Sequence, residues 1–487
     1  MKSILVQEQV RYTFTDLQVI FQSDEPSTAT LIRRLREVDV IKVVRQSSFQ
    51  RDLSVLNEDD VVIAEITNAD SGFYYLFKYV GLVSISEWVV IVYPKYFLKT
   101  GYSHVKMHQV MRVIEKYGSD GQPLRIFDPD SQTWSLNLVP VMLFILRDYF
   151  EFGLYATRSD VVEINGHGQI LWDKTIAGSY ALLVEDQPIY FELQTAKSVE
   201  DTTDFFRRLH ACVVTAVTEQ LEAAGLLQIF ELTPARISDE SLSDMGDLEY
   251  VQYRLQRELS NEFNTRKQLV LKAIYAFVSG RTDSFSDGTL NLFGTSSFNL
   301  VWQEVCSQVL GNQMKTPLHQ LGLLAEGIVH APSNPTLLTV IERPEWHSVG
   351  KDGEFSIAAP GTLEPDILRV EHDDEGIVFY VLDAKYFVPT VTKESISGQP
   401  GVADVTKQYL YELAYRELLR NQKEPFRVVN SFLMPSDGDF VQADGYVTFG
   451  MLSRLGLSPI AVRLVPAERF YECYLGDQEM SLVDLEL

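Results

Sequence analysis

The chain has 487 residues, 46% apolar and 22% charged, the balance of a soluble globular protein of about three domains at ~150 residues each. That excludes a disordered tail protein, a collagen-like fibre and a small stapled scaffold. Its 42 Lys and Arg against 67 Asp and Glu give a net charge of −25, which argues against sequence-independent coating of nucleic acid but leaves room for a local basic groove.

Three regions separate on pattern: 1–155, 156–285 and 286–487. In the first, Thr28 to Val38 reads as a helix carrying Arg33, Arg34 and Arg36, and Val40 to Arg45 as a strand. Phe73 to Val83 and Trp88 to Tyr93 are rich in β-branched and aromatic residues, and the polar turn Ser84 to Glu87 makes them a hairpin. Tyr102 to Tyr117 and Val139 to Tyr149 read as helices. The longest apolar run, Leu138 to Leu146, is far short of the ~20 residues of a membrane span, so it is a core segment and no membrane association is expected.

In the second region, Val161 to Ile164 and Gln169 to Trp172 flank Asn165-Gly166, a tight-turn signal that predicts a hairpin. Phe205, Leu209, Val213, Ala216, Val217 and Leu221 recur at helical spacing over Phe205 to Ala224. Leu248 to Phe277 is a longer helical pattern, broken around Ser260-Asn261. Gly280 to Gly288 is polar and turn-rich, so a boundary is placed there. The third region reads as a helix over Phe298 to Leu310, strands at Asp366 to Val370 and Ile377 to Tyr386, a helix from Val402 to about Asn421, and a strand from Arg427 to Met434. That order predicts an α/β (α+β) multidomain protein with a mixed central sheet flanked by helices in its C-terminal region.

Cys212, Cys306 and Cys473 lie far apart without a CxxC pair, so a zinc knuckle is out and a reducing, cytoplasmic setting is expected. The N-terminus has no apolar stretch of signal-peptide length. No GxxxxGK[ST], HExxH or GxSxG is present, so any NTPase activity must come from another chain. His104 and His108 sit four apart without a clear third ligand, a surface pair rather than a zinc site.

The chemistry concentrates in the third region. Pro365-Asp366 opens one strand, and the next ends in Val381-Leu382-Asp383-Ala384-Lys385. Alternation along a strand puts Asp383 and Lys385 on one face. A charged pair ending an apolar strand is costly without a partner or a task. Pairing of the two strands as a hairpin brings Asp366 near Asp383. Two carboxylates and a lysine suit a hard divalent cation and an activated water. On the following helix, Asp404, Lys407, Gln408, Tyr411 and Tyr415 form a polar stripe; it either faces the site or is a solvated face.

These residues resemble the PD-(D/E)xK nuclease superfamily. The resemblance implies phosphodiester hydrolysis with Mg²⁺ (Mn²⁺ as substitute), with Asp366, Asp383 and the Ala384 backbone carbonyl holding the metal. It also implies a glutamate from the preceding helix, for which Glu304 is the candidate, with Glu326 and Glu342 also upstream. Lys385 would orient the nucleophile or neutralise charge, and Lys407 and Gln408 would help hold phosphate or water. Lys78-Tyr79-Val80-Gly81-Leu82-Val83 and Val89-Val90-Ile91-Val92-Tyr93-Pro94-Lys95-Tyr96 look like the N-terminal stretch of McrC-like restriction subunits. Asn165-Gly166-His167-Gly168-Gln169-Ile170, with Trp172 and Thr175-Ile176, is similar to a further stretch of that group. With the C-terminal nuclease motif, the chain most resembles the LlaJI restriction endonuclease family. That implies a DNA-cutting subunit of a phage-defence system, working with a McrB-like AAA+ NTPase that the N-terminal region engages. Two nuclease domains are expected for a double-strand break if each cuts one strand. A non-catalytic activator or scaffold of the NTPase and a stand-alone repair nuclease are the competing expectations.

Overall fold

The apolar run at Leu138 folds into the helix Leu138–Phe152 of the computed structural model, which describes residues 2–45, 72–85, 88–98, 101–121, 138–156, 158–184, 187–201, 203–286, 290–325, 333–350 and 353–487. The chain groups into two compact units. One is Met1–Ser3, Ser84–Trp88 and Ile126–Phe293; the other is Ile4–Val83, Val89–Arg125 and Gly294–Leu487. Most of the first sequence region is thus grouped with the C-terminal region. Among the described residues, no helix is long and apolar enough to cross a membrane.

In the unit holding Ile126–Phe293, Val139, Met142, Leu143, Ile145 and Leu146 of Leu138–Phe152 are buried. They pack against the helices Phe205–Ala223 and Thr265–Ser286. Asp148 is buried there and takes a bidentate pair of bonds from Arg266, at 2.9 and 2.7 Å, a geometry that suits a guanidinium. Asp204 caps Phe205–Ala223 by accepting from the N–H groups of Phe206 and Arg207. The break expected near Ser260-Asn261 separates Leu248–Asn261 from Thr265–Ser286. The turn expected from Gly280 is instead helical as far as Ser286. No proline interrupts it, and one glycine costs a helix only about 1 kcal/mol.

The hairpin expected across Asn165-Gly166 is also corrected. Arg158–Ile164 and Gln169–Ile170 do not pair with each other; Gln194–Glu200 lies between them, antiparallel to both. Asn165 is turned outward to this inserted strand: its N–H donates to Leu193 O at 2.7 Å and its side chain accepts from Leu193 N–H at 2.8 Å. A side chain at Gly168 would meet Ala196 O at 2.0 Å, so only glycine allows the strand this close.

In the second unit, the N-terminal strands Lys2–Gln7, Trp88–Tyr93 and Val80–Ile85 lie side by side in that order. The single strand expected over Phe73 to Val83 breaks at Lys78-Tyr79. Phe73–Phe77 pairs antiparallel with Ile41–Arg45, and the N–H of Lys78 donates to Val40 O. Beyond the break, Val80–Ile85 joins the other sheet beside Trp88–Tyr93.

The C-terminal sheet has five strands in the order Ile367–Asp373, Gly376–Ala384, Phe426–Ser436, Ile460–Pro466, Gln442–Val447. The first and last pairings are antiparallel and the two central ones parallel, the mixed sheet the sequence predicts. The central strand Gly376–Ala384 is buried from Ile377 onward. Its odd-numbered residues Ile377, Phe379 and Val381 pack with Tyr411, Tyr415, Leu418 and Leu419 of the helix Val402–Arg420. The helix Phe298–Val309 contributes Trp302, which lies 5.6 Å from Phe470 and edge-on to Tyr471 of the helix Ala467–Leu475.

Candidate active site

The register of the first two sheet strands sets the site. Ile367 pairs with Leu382, and one residue further along the ladder Asp366 stands opposite Asp383. The buried odd-numbered face of the strand ends at Asp383, only 3% exposed. Lys385 follows on the same side, and its N–H keeps the ladder going to Leu433 O at 2.9 Å. Its ammonium reaches Asp383 Oδ2 and Asp404 Oδ1, each at 3.0 Å. Asp404, in the first turn of Val402–Arg420, is itself fixed by the N–H of Gly401 at 3.1 Å.

Asp366 is held from two further sides. Its Oδ2 accepts from Ala384 N–H at 3.1 Å, and its Oδ1 accepts from Gln303 Nε2 at 2.6 Å. Burial pushes the Asp366 carboxyl far above the ordinary range, and the hydrogen bond and charge of Asp383 push it the same way. Lys385 and the Ala384 N–H oppose this without cancelling it. Asp366 therefore favours its protonated form, because two adjacent desolvated carboxylates do not both ionise without a cation. Burial alone would lower the Lys385 ammonium, but the carboxylates of Asp383 and Asp404 outweigh it and hold the lysine charged. The arrangement offers two hard oxygen donors, with a fixed cation 3.0 Å from one of them. A divalent cation in place of the Asp366 proton fits that donor set.

The other residues expected at the site are placed as follows. Glu304 accepts from Gln308 Nε2 at 3.1 Å, one turn along its own helix. It lines the same cleft as Asp366, with Asn312 and Lys315, but it is Gln303 that contacts the carboxylate. Glu326 lies outside the described residues. Among the described residues, no group of three or more His, Cys, Asp or Glu is placed so that all could hold one metal ion. Of the helical stripe, Asp404 joins the site, while Gln408 is fully buried and donates to Val381 O at 2.9 Å, two residues before Asp383. Tyr411 and Tyr415 also face inward, donating to Glu364 O and Leu337 O. Burial, then the charges of Asp383 and Asp366, push the Tyr411 hydroxyl up to about 12, so it remains a donor. Lys407 is exposed. The stripe is thus mostly internal, and the helix turns Val402 and Leu410 outward instead, 70% and 42% exposed.

Sequence reasoning alone did not single out Gln303 or the brace behind the site. The hydroxyl of Tyr386, next to Lys385, donates to Glu8 Oε2 at 2.5 Å, and Glu8 also accepts from Lys95 N–H at 3.2 Å. Tyr386 is edge-on to Tyr96, whose hydroxyl lies 2.9 Å from that of Tyr471. Tyr471 packs edge-on against Trp302, and Trp302 Nε1–H shares Leu433 O with Lys385 N–H, at 3.3 Å. One carbonyl thus ties the Lys385 strand to the helix that carries Gln303.

The raised Asp366 carboxyl has a consequence for stability. A proton is held in the folded protein at a pH where the unfolded chain has released it. The stabilisation is complete below the ordinary carboxylate value of 3.8 and is lost as pH rises toward the raised folded value. Differential scanning fluorimetry in chelator is expected to show a melting temperature that falls as pH rises across this window. Mg²⁺ should restore the loss at the upper end, and Asp383→Asn should flatten the dependence. A profile that Mg²⁺ leaves unchanged would count against cation binding at the pair.

The LlaJI restriction endonuclease family matches residues 79–321 and 332–465. The chain is 26% identical over 427 residues, 85% of its length and 84% of the relative's, to the type II restriction enzyme BsuMI component YdjA of Bacillus subtilis (strain 168). Two solved assemblies also align. One is the half-complex of Thermococcus gammatolerans McrB AAA+ hexamers with bound McrC, at 11% identity and a TM-score of 0.36, over 98% of this chain and 100% of that one. The other is the Thermococcus gammatolerans McrBC complex, at 12% identity and 0.23, over 57% and 80%.

Proposed function

Because the chain belongs to the LlaJI restriction endonuclease family, we propose that it is the DNA-cutting subunit of a restriction system, hydrolysing phosphodiester bonds with a divalent metal at Asp366 and Asp383 and licensed by an AAA+ NTPase partner. The observation that carries the reading is the partly buried Asp366 set opposite the buried Asp383 beside a doubly paired Lys385. Mg²⁺ or Mn²⁺, held by the two carboxylates with the Ala384 backbone carbonyl as a further oxygen donor, would supply Lewis-acid stabilisation of phosphate charge and a more acidic water. Lys385, held charged, acts as a fixed cation for the developing charge rather than as a general base. Gln303 orients Asp366, and Asp404 keeps the lysine aimed. The partner is proposed from the chain's acidic balance and its lack of a Walker A loop: a −25 chain gains from being loaded onto DNA by another protein.

The test is plasmid cleavage with Mg²⁺ by this chain alone, and with the product of a neighbouring NTPase gene plus nucleotide. Cutting only with partner and nucleotide is the expected result. Cutting by the chain alone would remove the licensing step from the proposal. No cutting under either condition, by wild type and Asp383→Ala alike, would favour a scaffold. Gln303→Ala removes a 2.6 Å bond to Asp366, and once a cation displaces the Asp366 proton that bond is to a charged group, worth roughly 1.5–3 kcal/mol. Mn²⁺ affinity measured by titration calorimetry should therefore fall by about tenfold or more. Unchanged affinity would exclude Gln303 as the residue that orients the ligand.

A further inference from the structure

The same unit holds a second concavity, with both polar and apolar walls. It is a groove of about 640 Å³ between Gln7–Arg11 and the segment from Val388 to Gly398. Against ~30 Å³ per water in the liquid, that is far too wide for one bare ion and suits a chain-like ligand. Its polar walls are Gln9, Arg11, Lys95, Thr390, Ser395 and Ser397. The ammonium of Lys95 is preset: it donates to Gln9 Oε1 at 3.0 Å and sits 4.6 Å over the Tyr386 ring and 5.6 Å over Phe387. Arg11 is exposed, 5.8 Å over the Tyr74 ring. The acidic residue of the groove, Glu8, is 5% exposed and occupied by Tyr386 and the Lys95 N–H. The far wall is built rather than loose: Thr390–Val391 pairs antiparallel with Ile396–Ser397. A side chain at Gly398, where φ is +66°, would meet Val388 O at 2.2 Å.

Two routes join this groove to the cutting residues. Tyr386, bonded to Glu8 in the groove, is the neighbour of Lys385. Gly398 closes the groove three residues before Gly401, whose N–H holds the Asp404 that pairs with Lys385. Fixed cations, amides and hydroxyls without base-sized aromatic platforms are the chemistry that holds a phosphodiester backbone rather than reads bases.

We propose that the groove lined by Arg11 and Lys95 is a track for the DNA phosphodiester backbone flanking the scissile bond. This rests on the reading of Asp366, Asp383 and Lys385 as the cutting centre, but its test does not use that centre. Binding of a fluorescein-labelled random-sequence duplex is followed by anisotropy in chelator, over a salt series starting at low salt. The doubly substituted Arg11→Ala, Lys95→Met chain should lose at least tenfold in affinity. The slope of log affinity on log salt should become shallower by about 0.9 per lost phosphate contact, so about 1.8 for the pair. Arg236→Ala, which removes a cation paired with Glu222 elsewhere in the chain, should change neither. Deuterium exchange of residues 388–398 should slow on duplex addition in the wild type and not in the double variant. Wild-type affinity and slope in the double variant, or no duplex binding by the wild type at low salt, would overturn the proposal. Mn²⁺ titration separates the two readings: a double variant that binds Mn²⁺ normally but not DNA supports the track. Wild-type protein that binds DNA but no Mn²⁺ would leave the track standing and remove the metal centre.

Discussion

Asp383→Ala is expected to abolish DNA cutting, a loss of 10³-fold or more, since loss of one oriented group that stabilises transition-state charge already costs about 10²–10³ and this carboxylate is also proposed to hold the metal. The chain should still fold. Lys385 keeps Asp404 as a partner at 3.0 Å, so no cation is left buried alone. Asp366, relieved of a like charge that raises it, becomes easier to ionise. The melting temperature in chelator should therefore stay level or rise, and assembly with the NTPase should persist. Retained cutting would falsify the assignment of the centre, whereas lost cutting together with a collapsed melting curve would reduce the effect to folding.

Lys385→Ala should separate turnover from metal binding. The ammonium lies 3.0 Å from Asp383 Oδ2 and competes with any cation for that oxygen. Removing it is expected to leave Mn²⁺ affinity unchanged or raise it, while turnover falls by about 10²–10³-fold, the range for losing a fixed charge at a developing oxyanion. Calorimetry with Mn²⁺ and single-turnover cleavage read the two effects separately. A loss of Mn²⁺ affinity as large as the loss of turnover would mean that the lysine organises the ligands instead. Lys385→Arg keeps the charge but replaces a compact ammonium with a planar fork, so only partial rescue is expected.

The residues that proved easiest to read from sequence are those whose geometry is set by a short local period. Asp383 and Lys385 share a face because strand side chains alternate, and Asp366 meets Asp383 because the two-residue connection Asp374-Glu375 fixes the hairpin register. The helix residue was harder. Phe298, Val301, Trp302, Val305 and Val309 mark the buried face of Phe298–Val309, but Gln303 and Glu304 both lie at its border, and about 100° of rotation separates their roles. The family resemblance points to a glutamate and so to Glu304; it is Gln303 that bonds Asp366. The polar stripe from Asp404 to Tyr415 reads equally well as a solvated face. What turns it inward is that each hydroxyl and amide finds a backbone carbonyl: Val381, Glu364 and Leu337, and none of these partners is visible in the helix's own sequence. The Asn165-Gly166 signal failed for a different reason. A turn signal reports where the chain bends, not which strand is inserted alongside afterwards.

The bond between Glu8 and Tyr386 spans 378 residues. At roughly 5–20 residues per second, a ribosome delivers Tyr386 on the order of 20 to 75 seconds after Glu8. During that interval the N-terminal strand and Tyr96 have neither the Tyr386 nor the Tyr471 hydroxyl to dock against, and Trp302 has no Leu433 carbonyl. Contacts this distant along the chain form late and slowly. The site of Asp366, Asp383 and Lys385, with the contacts that brace it, is therefore assembled only near the end of synthesis.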